Sequence, residues 1–140
     1  MVKNILVQIR KYRNCYKNWI EIIIKIFLRR ETVGIMRNGN IIPTKFLTLQ
    51  VKEMQFRGLS PTYDKERNII SFYFHEKLIS LKGAEINGDL NGIFCEEVYG
   101  FLDVKGRYVI DVGMNMGNSA IYFAMRGAKM VMGFEPYKRV

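Results

Sequence analysis

Residues 108–135 constrain this chain more than any other stretch. Tyr108–Val112, YVIDV, is a short apolar run of buried type that contains an acid near its end, and Gly113, Asn115 and Gly117 follow as G-x-N-x-G. NSAIYFAMRG then reads as a helix, with Asn118 or Ser119 placed to cap its start and Gly127 to end it. KMVMGF is a second apolar run, and the acid Glu135 stands just beyond it. Strand, glycine loop, helix and second strand in about 30 residues make a βαβ unit, whose two strands are parallel.

Each part of that unit suits a ligand at the carboxyl ends of the strands. Glycines let a ligand approach the backbone where a Cβ would collide. The helix start offers unpaired N–H groups and a partial positive charge. Glu135 lies 22 residues after Gly113, where an acid can accept both hydroxyls of a ribose. A Walker loop is excluded, because no G-x-x-x-x-G-K-[ST] is present, and so is the dinucleotide fingerprint G-x-G-x-x-G, because position 115 is Asn. Asp111 at the mouth of the loop would repel a pyrophosphate but suits a ligand carrying an ammonium group. S-adenosylmethionine has that ammonium, a sulfonium and no phosphate.

VIDVGMNMGNSAIYFAMRGA…VMGFEP resembles the first cofactor motif of class I S-adenosylmethionine-dependent methyltransferases, and within them the FkbM family, whose pattern runs D-[VI]-G-A-N-x-G-[DN]-[ST] before a strand ending F-E-P. The upstream GIFCEEVYGFLDVKG resembles the helix that precedes the motif in archaeal-type members. The strong match covers residues 91–138; residues 1–90 match only in layout. The resemblance implies that Asp111, Gly113, Met114, Asn115 and Gly117 form the cofactor loop, with Asn118 and Ser119 at the helix start and Glu135 on the ribose. Met114 departs from the pattern, which has Ala there. Glu96 or Glu97 would face the cofactor from the preceding helix. The implied activity is methyl transfer to an oxygen, on a sugar or small metabolite. No catalytic residue is identifiable, and no cluster has metal-ligand spacing.

The sequence supplies only the first two strands of such a sheet, so the expected fold class is α/β: an N-terminal helix and β-hairpin region followed by the first βαβ unit of a truncated Rossmann-like methyltransferase sheet. The expected segments are a basic amphipathic helix over 1–30, a β-rich region over 31–90 and the start of the cofactor domain over 91–140. A chain of this content is expected to be inactive alone. A complementary C-terminal methyltransferase half is one expected partner. Self-association through the bare sheet edge is the other.

The formal net charge of +9 is uneven. Residues 1–30 hold eight Lys/Arg and one acid, 8 − 1 = +7; residues 31–140 hold 14 bases and 12 acids, +2. The basicity belongs to the N-terminal segment, and no basic cluster with interleaved aromatics lies beyond it, which argues against nucleic-acid binding. Residues 4–29 lack Gly and Pro and predict one long helix, with Tyr12, Tyr16, Trp19, Ile23 and Phe27 along one face. That face either packs on its own domain or lies on an anionic membrane or acidic partner. The non-catalytic alternative for the whole chain is a binding module docked through this helix. The apolar run Trp19–Leu28 holds Glu21 and Lys25 within ten residues, and a spanning helix needs about 20 apolar ones. Cys15 and Cys95 are far apart and read as reduced thiols of a cytoplasmic protein, with 1–30 as its point of peripheral membrane contact.

Between these ends, Asn38-Gly39 predicts a hairpin with a type I′ turn. FLTLQV alternates through Leu47, Leu49 and Val51 and predicts a strand. NIISFYF and KLISL flank His75-Glu76 as a second hairpin, with His75 a turn residue. Residues 91–103 predict a helix capped by Asp89 or Asn91, with Ile93, Phe94, Val98, Phe101 and Leu102 as its stripe and Lys105-Gly106 as its exit.

Overall fold

The computed structural model describes residues 2–83 and 89–136, with side chains from residue 4. Residues 84–88, within the expected β-rich segment, and 137–140, at the end of the expected cofactor segment, lie outside them. The chain is mixed α/β with small sheets and divides into two compact units, Met1–Ile86 and Asn87–Val140.

In the first unit the expected long helix is two helices, α1 (Val2–Cys15) and α2 (Trp19–Phe27). The break has a definite cause. Tyr16 forms a β-bridge with Met36, the Lys17 N–H donates to the Ile35 carbonyl at 2.7 Å, and the Arg37 N–H donates to the Cys15 carbonyl at 3.1 Å. Asn18 completes the joint from its side chain, donating to the Val33 carbonyl and accepting from the Ile35 N–H, both at 2.9 Å. The Tyr16 N–H keeps its helical bond to the Tyr12 carbonyl at 2.8 Å, but the Lys17 N–H and the Cys15 carbonyl turn to the hairpin and no longer serve a continuous helix.

The segment that receives them is the hairpin of β1 (Gly34–Ile35) and β2 (Ile41–Ile42), antiparallel as expected. Its turn is not type I′: only Gly39, not Asn38, has positive φ. The two-residue turn with both φ positive lies instead at His75 (45°) and Glu76 (64°), joining β4 (Ile69–Phe74) to β5 (Lys77–Lys82). β3 (Thr62–Asp64) adds on the other side of β4 to give the antiparallel order β3-β4-β5.

FLTLQV is not a strand. It lies in α3 (Lys45–Phe56), so residues 31–90 are not uniformly β. Thr44 decides the local structure: its backbone is extended, and its hydroxyl accepts from the Leu47 N–H at 3.2 Å, which caps a helix start just after Pro43. The buried residues Leu47, Thr48, Val51, Lys52 and Met54 then recur at helical spacing. Leu47 and Val51 fit both periods, and the alternation was coincidental.

The core of this unit gathers Tyr16, Ile22, Ile42, Leu47, Val51, Met54, Ile70 and Phe72. Tyr16 is fully buried, and its hydroxyl donates to the Thr48 carbonyl of α3 at 2.8 Å. Burial pushes its phenol far above the usual range and raises Cys15 to about 11, so both stay protonated. The α1–α3 contact also holds charge. Lys52, almost fully buried, donates to Gln8 Oε1 at 2.7 Å, lies 3.2 Å from Glu53 and stacks over Tyr12 at 4.3 Å. Lys11 reaches the other Glu53 oxygen at 2.5 Å.

In the second unit, β6 (Tyr108–Val112) and β7 (Met130–Phe134) pair in parallel, joined by α4 (Asn118–Met125). Residues 91–103 are not a continuous helix. A single π-helical turn, Asn91–Cys95, is followed by irregular turns. Asp89 does cap it, accepting from the Gly92 N–H at 2.7 Å. Of the expected stripe only Ile93 and Phe94 are buried; Phe101 is 83% exposed. Glu97 ends the regular geometry with φ 48° and accepts from Tyr122 Oη (3.0 Å) and Arg126 Nη1 (3.4 Å), while Arg126 Nη2 donates to the Gly100 carbonyl (3.0 Å). The turn segment is thus bonded to α4 by side chains. β6 was expected to be buried, yet Tyr108, Ile110 and Val112 are exposed, as are Met130, Met132 and Phe134 beside them.

Glu53 carries a pH dependence. Burial disfavours its charge, but the hydrogen bond from Lys11 and the adjacent Lys52 outweigh that and hold its carboxyl below the ordinary 4.5. A depressed carboxyl contributes stability that is complete above 4.5 and is lost as pH falls through the folded-state value. Glu53→Gln is therefore expected to destabilise the chain at pH 7 by about 1–3 kcal/mol. In urea unfolding followed from about pH 7 to 3, that gap should close as the wild type is protonated; a gap constant with pH would rule out the ion cluster as its source.

Candidate functional site

The loop between β6 and α4 owes its form to three alternating left-handed residues: Gly113 (φ 81°), Asn115 (φ 55°) and Gly117 (φ 89°). That accounts for G-x-N-x-G, because glycine enters this region freely and Asn is among the side chains that best tolerate it. Built Cβ atoms at Gly113 and Gly117 would meet nothing within 4 Å, so backbone conformation and not crowding demands glycine there.

The loop is fastened to the end of the neighbouring strand. Gly113 and Met114 N–H groups both donate to the Phe134 carbonyl, at 2.7 and 3.3 Å, and the Gly117 N–H donates to the Met114 carbonyl at 2.8 Å. Glu135 follows Phe134 and accepts from the Asn115 N–H at 2.8 Å. Alternating right- and left-handed residues turn successive N–H groups into an anion-binding concavity, and here a carboxylate of the protein itself bonds one of them.

Asp111 faces α4, accepting from Ser119 Oγ at 2.6 Å. Ser119 therefore binds the acid and does not cap the helix. Nor does Asn118: the N-cap is Gly117, with no side-chain cap. Asn118 is almost fully buried, and its Oδ1 has no hydrogen-bond partner among the described residues. Such an orphaned acceptor costs about 1–3 kcal/mol, and a donor at the loop would satisfy it.

All eight sequence-predicted residues thus sit in one loop or beside it, at the carboxyl end of a parallel strand pair. Glu97 is placed elsewhere, held by Tyr122 and Arg126, and Glu96 is exposed after the π-helical turn. One participant went unnoticed in the sequence. Gly133, paired with Asp111 across the strands, is where Met114 folds over β7: a Cβ built there would overlap Met114 Sδ. A lone glycine inside an apolar strand was the available signal of close approach. Among the described residues no group of His, Cys, Asp and Glu could hold a metal ion.

No protein-family model matches the chain, and no solved structure matches it. It is similar over short stretches to two viral proteins. "Uncharacterized protein 158B" of Sulfolobus islandicus rod-shaped virus 1 is 40% identical over 45 residues, 32% of this chain and 28% of its own length. "Uncharacterized protein 65" of Sulfolobus islandicus filamentous virus (isolate Iceland/Hveragerdi) is 51% identical over 37 residues, 26% of this chain and 23% of its own length. The chain therefore spans about a quarter of the length of these relatives.

The Met114–Gly133 overlap is testable by a double-mutant cycle. Gly133→Ala is expected to cost about 1–3 kcal/mol in the wild type, by overpacking, and close to nothing in a Met114→Ala background. Equal costs in both backgrounds, measured by chemical unfolding, would dismiss the contact.

Proposed function

We propose that residues 108–135 bind S-adenosylmethionine and that the chain is part of an FkbM-like methyltransferase with a Rossmann-like sheet, acting on a hydroxyl of a sugar or small metabolite. The observation that carries this is electrostatic. Two adjacent parallel strands, about 4.8 Å apart, deliver Asp111 and Glu135 to the same end of the sheet, and no Lys or Arg occurs between Tyr108 and Met125. A phosphate ligand would meet two carboxylates, with no cation within residues 108–125 to offset them. A ligand with an ammonium and a sulfonium gains from both.

The chain's residues divide the work as follows. Gly113, Asn115 and Gly117 give the loop a backbone surface open to close approach, and Met114 seats the loop on β7 through Gly133. Asp111, oriented by Ser119, is placed for the ammonium. Glu135 would accept from the ribose hydroxyls while its Oε2 holds the Asn115 N–H. Asn118 offers a buried acceptor at the helix start. The donor, when bound, supplies a methyl group that an acceptor hydroxyl takes in line, so positioning supplies much of the rate. No residue of this chain is assigned as the general base.

Equilibrium dialysis tests the assignment. S-adenosylmethionine should bind in preference to ATP and NAD. Asp111→Asn, which keeps an acceptor for Ser119 and removes the charge, should weaken binding at least about tenfold, or about 1.4 kcal/mol, without moving the unfolding midpoint. Tighter binding of ATP or NAD, or an unchanged affinity in Asp111→Asn, would refute the reading.

A further inference from the structure

The N-terminal helices present a surface that the cofactor site does not use. α2 is apolar round most of its circumference. Ile22 is fully buried, with Trp19, Ile23 and Ile26 beside it, while Ile20, Ile24, Phe27 and Leu28 form a second stripe that is 52–85% exposed. The charges within the helix, Glu21 and Lys25, pair with each other at 2.6 Å. A helix with two apolar faces requires a second apolar environment.

Two hollows flank α1. One, of about 420 Å³, runs between the helices and is lined by Ile5, Ile9 and Tyr12 against Ile23, Ile26 and Phe27. The other, of about 610 Å³, shares Ile9 and gathers Arg10, Arg13 and Arg37. Arg37 is fixed in place, since its Nε and Nη2 both donate to the Arg13 carbonyl, at 3.0 and 2.6 Å. None of these three arginines is paired with a carboxylate among the described residues. At 100° per residue Ile5, Leu6 and Ile9 lie between the two hollows, so one plane can meet both. No helix among the described residues is long and apolar enough to cross a membrane.

We infer that α1 and α2 dock the protein on an anionic membrane surface, with lipid phosphates at Arg10, Arg13 and Arg37 and with Ile5, Ile24 and Phe27 entering the acyl boundary. Charge complementarity selects this occupant. Guanidinium groups match phosphate, and at a lipid surface the phosphates lie directly above hydrocarbon, the same order as arginines beside an apolar stripe. A free phosphate would engage the arginines and leave the stripe in water. Single-stranded nucleic acid needs aromatic platforms among the bases, and the exposed stripe is aliphatic apart from Phe27.

The full chain should co-sediment with phosphatidylcholine vesicles that contain phosphatidylglycerol and only weakly with phosphatidylcholine alone. Ile24→Ser/Phe27→Ser and Arg10→Gln/Arg13→Gln change exposed side chains, and each pair should lower partitioning about tenfold, with unfolding midpoints unchanged. Asp111→Asn should sediment like the wild type, which separates this surface from the cofactor site. Wild-type chain left in the supernatant overturns the inference. So does equal binding to neutral vesicles, or complete displacement by millimolar inorganic phosphate at constant ionic strength. Unaltered vesicle binding by the Ile24/Phe27 variant, with an altered oligomeric state, would reassign the stripe to a second copy.

Discussion

The first unit depends on how Tyr16 is held. Its ring is fully buried and lies where Gly34 leaves room: a Cβ on Gly34 would come within 2.6 Å of the ring. Its hydroxyl reaches α3, and its backbone bridges to Met36. One residue therefore ends α1, aligns β1 and fixes α3. Burying a phenol is favourable only if the hydroxyl keeps a partner, and the Thr48 carbonyl provides it. The helix break is the cost of that arrangement. Local hydrogen bonds are given up at the joint, and the Asn18, Lys17 and Arg37 bonds to neighbouring backbone take their place.

The second unit rests on a different device. A parallel strand pair has no tight turn to set its geometry, so the β6–α4 connection must do so through backbone conformation. Three left-handed residues at alternate positions reverse the chain, and the Phe134 carbonyl takes two of the resulting N–H groups. Glu135 then bonds a third. The acid that would meet a ligand is thus also a member of the loop. A ligand bonding Glu135 would share a carboxylate that already holds the Asn115 N–H through Oε2, so the acid would link ligand and loop.

Legibility in the sequence followed the range of the forces involved. The βαβ unit and its loop were legible because glycines, Asn115 and the two acids act locally, through φ preference and position on a strand. The His75-Glu76 hairpin was legible for the same reason, its flanking runs being strongly β-forming. The failures came where a non-local contact won. Residues 16–18 carry no breaker, and only the pairing with β1 interrupts the helix. FLTLQV satisfied two periods at once, and Thr44 with Pro43 decided between them. Residues 91–103 have helical spacing, but the Glu97–Tyr122–Arg126 bonds hold them in turns. Around the loop, the strand and helix positions were legible and the capping was not, because Ser119 is committed to Asp111, a partner eight residues upstream.

The strand pair also shows how local the loop's order is. α4 covers the face of β6–β7 that carries Asp111 and Gly133. Alternation puts Tyr108, Ile110, Val112, Met130, Met132 and Phe134 on the other face, all exposed. Parallel sheets are ordinarily covered on both faces, and β6 and β7 have no other strand neighbour among the described residues. None of the bonds that shape the loop passes through that open face. They run along the strand ends, from Gly113 and Met114 to Phe134, from Asn115 to Glu135, and from Ser119 to Asp111. Covering the face would therefore stabilise the sheet without rebuilding the loop. By the same logic, a substitution such as Ile110→Ser should leave the loop's hydrogen bonds intact, whereas loss of the Asp111–Ser119 bond would disturb the site directly and leave the strand pairing in place.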